Sequence, residues 1–139
     1  MKKTILFLVT LFALKLTAIA QQQKEISIHC VFPKKLNAGD KVNLKVNVSH
    51  TLYKEQTGNL TLELIDAKTN KSVDGWFLNI FPFQYFTSIK GENFETQFPF
   101  TIPSDYHGKC MLTLKAVCGD AKDSLSHTFT IGSKIVNHE

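Results

Sequence analysis

Lys41-Val42-Asn43-Leu44-Lys45-Val46-Asn47-Val48-Ser49 alternates without a break, with Val42, Leu44, Val46 and Val48 at one parity and Asn43, Lys45, Asn47 and Ser49 at the other. Successive side chains of a strand point to opposite faces, so this segment reads as a strand with one face in a core and one in water. The same period runs outward in both directions. Upstream, Ile26, Ile28, Cys30 and Phe32 alternate with Ser27, His29 and Val31 until Pro33, and Asn37-Ala38-Gly39-Asp40 supplies a turn. Downstream, Leu60, Leu62 and Leu64 alternate with Thr61, Glu63 and Ile65, and Asp66 to Lys71 turns the chain.

Further on, Phe83 to Ile89 reads as a strand, Lys90-Gly91-Glu92-Asn93 as a turn and Phe94 to Ile102 as a strand. Phe94, Thr96, Phe98, Phe100 and Ile102 share a face of that strand; Pro99 lies on the other and marks it as an edge, because proline removes a ladder donor. Lys109 to Cys118 forms another strand, Gly119-Asp120 a turn, and Leu125, His127, Phe129 and Ile131 line one face of the last. On this apolar face His127 is expected to be a hydrogen-bonded core residue. No segment reads as a helix. The expected fold is all-β, an antiparallel immunoglobulin-like sandwich of seven or eight strands, the number such short, regularly spaced strands build in one domain.

The chain has 139 residues, room for one such domain. It opens with Met1-Lys2-Lys3, an apolar run from Thr4 to Leu14 and Ala18-Ile19-Ala20, the pattern of a secretory signal peptide over residues 1–20. Lys15 ends the run short of the roughly 20 apolar residues that a membrane span needs. Residues 21–139 are therefore expected to form a single exported domain, periplasmic, envelope-bound or extracellular, with no stable membrane insertion. Three of the 16 lysines lie in the leader, so the remaining 13 nearly balance the 12 acids and give no electrostatic case for nucleic acid.

Three cysteines cannot all pair within one chain. Cys110 and Cys118 fall eight residues apart on one strand, about 26 Å at the usual rise, so an internal disulfide has to use Cys30. A buried free thiol, a Cys30 bridge and an intermolecular bond all fit the sequence. Asn47-Val48-Ser49, Asn59-Leu60-Thr61 and Asn70-Lys71-Ser72 match the N-glycosylation pattern, which matters only in a host that glycosylates exported asparagines.

The chain lacks a Gly-x-Ser-x-Gly elbow, a His-Glu-x-x-His pair, a phosphate-cradling glycine loop and a Cys-x-x-Cys. The expectation is no enzymatic activity, no catalytic residue and no cofactor. His107 and Cys110 are the best metal candidates, supplying two of the three or four ligands a site needs. They support an alternative reading as a small periplasmic ligand or metal binder. His29 and Cys30 point to opposite faces of a strand and cannot chelate together. Residues 76–100 hold nine aromatics, Trp76, Phe77, Phe81, Phe83, Tyr85, Phe86, Phe94, Phe98 and Phe100. Most are expected in the core, since two sheets about 10 Å apart need large side chains between them. Trp76, Phe77, Phe81 and Phe83, around Pro82, are expected to form an exposed patch that binds a partner.

Lys35-Leu36-Asn37-Ala38-Gly39-Asp40-Lys41-Val42, Asn59 to Ala67, Ser72-Val73-Asp74-Gly75-Trp76-Phe77, Gln84-Tyr85-Phe86-Thr87, Phe98 to Pro103 and Leu114 to Asp120 together resemble a β domain of bacterial alpha-2-macroglobulin-like proteins, most closely the Bacteroidetes versions in which it precedes the thioester region. The resemblance implies a macroglobulin-type sandwich in the cell envelope and a protease-related or other envelope protein as partner. It does not imply covalent trapping: no cysteine here is followed by Gly-Glu-Gln, and no functional residue of that family carries over.

Overall fold

The computed structural model describes residues 24–133; the leader at 1–20 lies outside the described residues. The strands, in chain order, are β1 (Ile26–Cys30), β2 (Leu36–Asn37), β3 (Lys41–His50), β4 (Thr57–Asp66), β5 (Lys71–Ser72), β6 (Phe83–Thr87), β7 (Phe94–Thr101), β8 (Gly108–Cys118) and β9 (Ala121–Gly132), and no helix occurs among the described residues. Seven of the nine have five residues or more; the expected seven or eight missed the two-residue β2 and β5. β1 also stops at Cys30, one turn of the alternation before Phe32.

Two sheets form a β-sandwich. One has three strands in the order β1-β3-β7, and the other runs β2-β9-β8-β4-β5, with β6 also paired to β4. All pairings are antiparallel except β2 with β9, which corrects the purely antiparallel expectation. Leu44, Val46 and Val48 of β3 face inward with Ile26 and Ile28 of β1 and Phe98 and Phe100 of β7. Leu60, Leu62 and Leu64 of β4 and Leu112, Leu114 and Ala116 of β8 face them, and the two sets form one apolar cluster. β7 is an edge strand, as Pro99 requires, and its partner across the ladder is Asn43.

Two glycines are fixed by geometry. Gly119 takes φ 59 in the two-residue β8–β9 turn, a conformation that costs a Cβ-bearing residue strain. At Gly58 a Cβ would lie 2.6 Å from Cζ of Phe86, so the glycine lets the Phe86 ring cross the β4 backbone into the core.

His127 departs from expectation. It is exposed, stacked on Phe32 at 4.9 Å between centroids and tilted against Phe129 at 4.5 Å. A three-stranded sheet cannot cover a six-stranded one, so part of the inner face of β9 lies beyond the opposing strands and Phe32 caps it instead. Cys30, Cys110 and Cys118 are all free thiols; Cys110 and Cys118 are buried and Cys30 partly so.

β1 and β9 are tied together by Asp123, whose Oδ2 accepts from the Ile28 N–H at 2.8 Å while Oδ1 meets Lys24 Nζ at 2.9 Å. Burial pushes this carboxyl up, but the Ile28 N–H, Lys24 and the Ser124 N–H outweigh it and hold the pKa below the ordinary value. A depressed native pKa stabilises the fold above the unfolded value and is lost as pH falls through the native one. Stability should therefore drop below about pH 4, and less steeply in Asp123→Ala, which at neutral pH should already be about 2 kcal/mol less stable through the lost charged hydrogen bond. Urea midpoints of both proteins from pH 7 to pH 2 check this; parallel profiles would remove Asp123 from the acid response.

Candidate functional site

Between β5 and β6 the chain leaves the sheet over residues 73–82 and is held against β4 by four contacts. The Val73 N–H donates to Leu64 O at 2.9 Å, and the Leu62 N–H donates to Pro82 O at 2.9 Å. The Leu64 N–H donates to Asp74 Oδ1 at 2.9 Å, and Asn79 Nδ2 donates to Leu62 O at 3.0 Å. The loop thus takes the place of a neighbouring strand along the middle of β4. Its Leu78 sits at φ 56, a left-handed conformation that a branched side chain occupies at a cost.

Phe77 is the loop's anchor. It is 1% exposed, edge-on to Tyr106 at 4.9 Å, and its carbonyl accepts from the Thr101 N–H at 2.7 Å. Tyr106 is itself buried and donates to Asp66 Oδ1 and to Lys109 O. Burial, then the bond to Asp66, pushes the Tyr106 phenol well above its ordinary pKa, while Tyr106 and the Thr69 bonds lower that of Asp66. A neutral donor and an ionised acceptor therefore brace the floor under Phe77 across the physiological range.

Against this anchor the loop and β6 turn a row of apolar side chains outward. Trp76, Leu78, Ile80, Phe81, Phe83 and Tyr85 are between 52% and 74% exposed. Trp76 rests edge-on against Tyr106 at 5.5 Å, which fixes its ring while leaving half of it in solvent. Of the four expected patch residues, Trp76, Phe81 and Phe83 lie on the surface and Phe77 is in the core. The correction has a steric cause: the loop needs one large side chain to fill the space beside Tyr106, and Phe77 supplies it. Of the other aromatics in 76–100, Phe86, Phe98 and Phe100 are buried and Phe94 partly so, stacked on Phe86 at 5.2 Å.

Leu78, Ile80 and Tyr85 are exposed on the same loop and strand and were not among the expected patch residues. One sequence signal marks them: no charged residue occurs between Asp74 and Lys90. β6 is tied to β7 of the other sheet through one side chain, because Gln84 Nε2 donates to Gln97 O of β7 at 2.9 Å and Thr96 Oγ1 donates to Gln84 Oε1.

The metal candidates are not brought together into one site. His107 is exposed in the loop before β8, whereas Cys110 is 1% exposed in the core with its thiol pushed up to about 12 by burial. A thiol so raised stays protonated at neutral pH and is a poor ligand. Among the described residues no group of three or more His, Cys, Asp or Glu side chains converges. An open cleft of about 1050 Å³ lies instead along the three-stranded sheet, lined by Cys30, Val31, Asn43, Lys45, Asn47 and Glu95 among others, and neither His107 nor Cys110 reaches it.

No family model matches the chain, and no curated protein matches it. Among solved structures, the crystal structure of β-glucosidase from Listeria innocua in complex with gluconolactone aligns with 81% of this chain at 14% identity and a TM-score of 0.48. The chain spans 16% of that protein's length. On this match the expectation that the chain is not an enzyme is withdrawn. The match brings no activity and no catalytic residue to this chain, since the activity named is that of a much longer protein.

Proposed function

We propose that this protein is an exported immunoglobulin-like sandwich, of the macroglobulin-domain type its sequence resembles, that binds another protein through the surface formed by residues 76–85. The observation that carries this reading is the exposure of Trp76, Leu78, Ile80 and Phe81 on a loop that is rigidly pinned to β4, and of Phe83 and Tyr85 on β6, which follows it and pairs with β4. Taking about 200 Å² for each of these large side chains, aromatic and aliphatic alike, the six expose roughly 700 Å². That exceeds the 300–600 Å² typical of the largest apolar patch on a monomer. A mobile loop would collapse such side chains onto the domain; here Asp74, Asn79 and Phe77 hold the backbone so that they stay outward, which lowers the ordering cost of binding. Trp, Tyr and Phe are also the residue types that dominate binding energy at protein interfaces.

The test is affinity capture from native envelope extract, with the wild type and a Trp76→Ala/Phe81→Ser variant as baits. Both substituted residues are half-exposed or more, so the variant should melt within a few degrees of the wild type. A protein retained by the wild type and lost by the variant is the expected result. Equal retention by the two baits would place any binding elsewhere and overturn the reading.

A further inference from the structure

We infer that the occupant of the 76–85 surface is a second copy of this chain, giving a twofold dimer with the aromatic faces opposed. This rests on the reading of that surface as a protein-binding face and names its partner.

Three observations select a second copy. The first is area. Roughly 700 Å² from each copy is close to the ≈ 800 Å² that each partner contributes to a standard, stable interface. The second is charge. The run from Gly75 to Ile89 contains no side chain that is charged at neutral pH, so the surface can meet its own image without setting like charges within it against each other. A twofold interface makes that demand, because the same patch appears on both sides. Outside the leader the lysines and acids nearly cancel, so two copies do not repel at long range either.

The third observation is rigidity. β6 carries Phe83 and Tyr85 on its outward face and is tied to β7 through Gln84, and the loop before it is pinned to β4 by Asp74 and Asn79. The surface is thus preset, and two preset faces associate with little loss of side-chain freedom. A membrane surface is the weaker fit. Apolar faces that lie in a bilayer interface are flanked by several lysines or arginines, whereas this run is bordered by an acid, Asp74, on one side and by Lys90 on the other.

Sedimentation of protein purified after expression of all 139 residues tests the inference. At about 100 μM, above the micromolar limit for interfaces of this size, the wild type should sediment as a dimer. Phe81→Ser/Phe83→Ser should weaken association roughly 100-fold or more, while Lys45→Ala, on the outer face of the three-stranded sheet, should leave it unchanged. Melting curves of both variants establish that they are folded.

A wild type that is monomeric throughout overturns the dimer. If the capture experiment still succeeds, the surface serves a different protein and only the self-partner falls; if capture fails as well, the binding surface falls with it. A dimer that survives Phe81→Ser/Phe83→Ser also overturns the inference, since the contact then lies on another face. A monomer that pellets with phosphatidylcholine vesicles overturns it in favour of a membrane.

Discussion

Phe77→Ala should cost about 3–5 kcal/mol of stability, whereas Phe81→Ala, four residues along the same loop, should cost less than about 1 kcal/mol. The difference follows from position. Phe77 is buried against Tyr106 and Trp76, and its removal leaves a cavity under the loop that Tyr106 cannot fill, because the phenol is held by Asp66 and Lys109. Phe81 stands mostly in solvent and leaves no cavity. A domain of this size has some 5–15 kcal/mol in all, so Phe77→Ala should shift the urea midpoint by a large fraction of its value while Phe81→Ala barely moves it. The two also separate stability from binding. Phe77→Ala would weaken any partner contact only by loosening the loop, and Phe81→Ala by removing contact surface from a domain that remains intact. Equal losses of stability would mean that the loop does not distinguish an anchor from an exposed face.

The strands of this fold are legible because each carries one buried face. In β3 the inward positions Leu44, Val46 and Val48 and the outward Lys45 and Asn47 are read directly from parity, and Leu60, Leu62 and Leu64 of β4 likewise. Parity fails where the opposing layer ends. His127 shares the face of Phe129 and Ile131, but whether that face is covered depends on how far the smaller sheet extends, a property of the assembled sandwich that no local pattern carries.

The loop at 73–82 is less legible. It has no period, so nothing in Trp76-Phe77-Leu78-Asn79-Ile80-Phe81 distinguishes the buried ring from its neighbours. Its anchor is chosen by Tyr106, about thirty residues away, and by the carboxyl of Asp66 on another strand. The outward apolar surface was only partly visible for the same reason: Trp76, Phe81 and Phe83 stood out as aromatics beside a proline, while Leu78 and Ile80 resemble ordinary core residues until the absence of charge from Gly75 to Ile89 is weighed. Likewise His107 and Cys110 are neighbours by sequence, but the start of β8 turns the thiol into the core and leaves the imidazole outside.

Asp74→Ala should be the most damaging polar substitution in the loop, at about 2–4 kcal/mol. One carboxylate stands in for a missing strand: Oδ1 accepts from the Leu64 N–H at 2.9 Å and from Asn79 Nδ2 at 2.9 Å, and Oδ2 accepts from Ser72 Oγ at 3.0 Å. Without it the Leu64 N–H, on the loop side of β4 and beneath the loop, has no acceptor, and an amide left unsatisfied there bears its full desolvation cost. Asn79 is buried and its Oδ1 already lacks a partner, so losing the bond to Asp74 leaves its amide held only through Leu62 O. Asp74→Asn keeps an acceptor for Leu64 and should cost about 1 kcal/mol. On a domain of this size the alanine variant should melt roughly 10–15 °C below the wild type. It should also lose partner binding together with loop order, seen as accelerated amide exchange at Leu62 and Leu64. If Asp74→Ala melts within a degree or two of the wild type, the carboxylate does not hold the loop, and Trp76, Phe81 and Phe83 are not presented on a rigid frame.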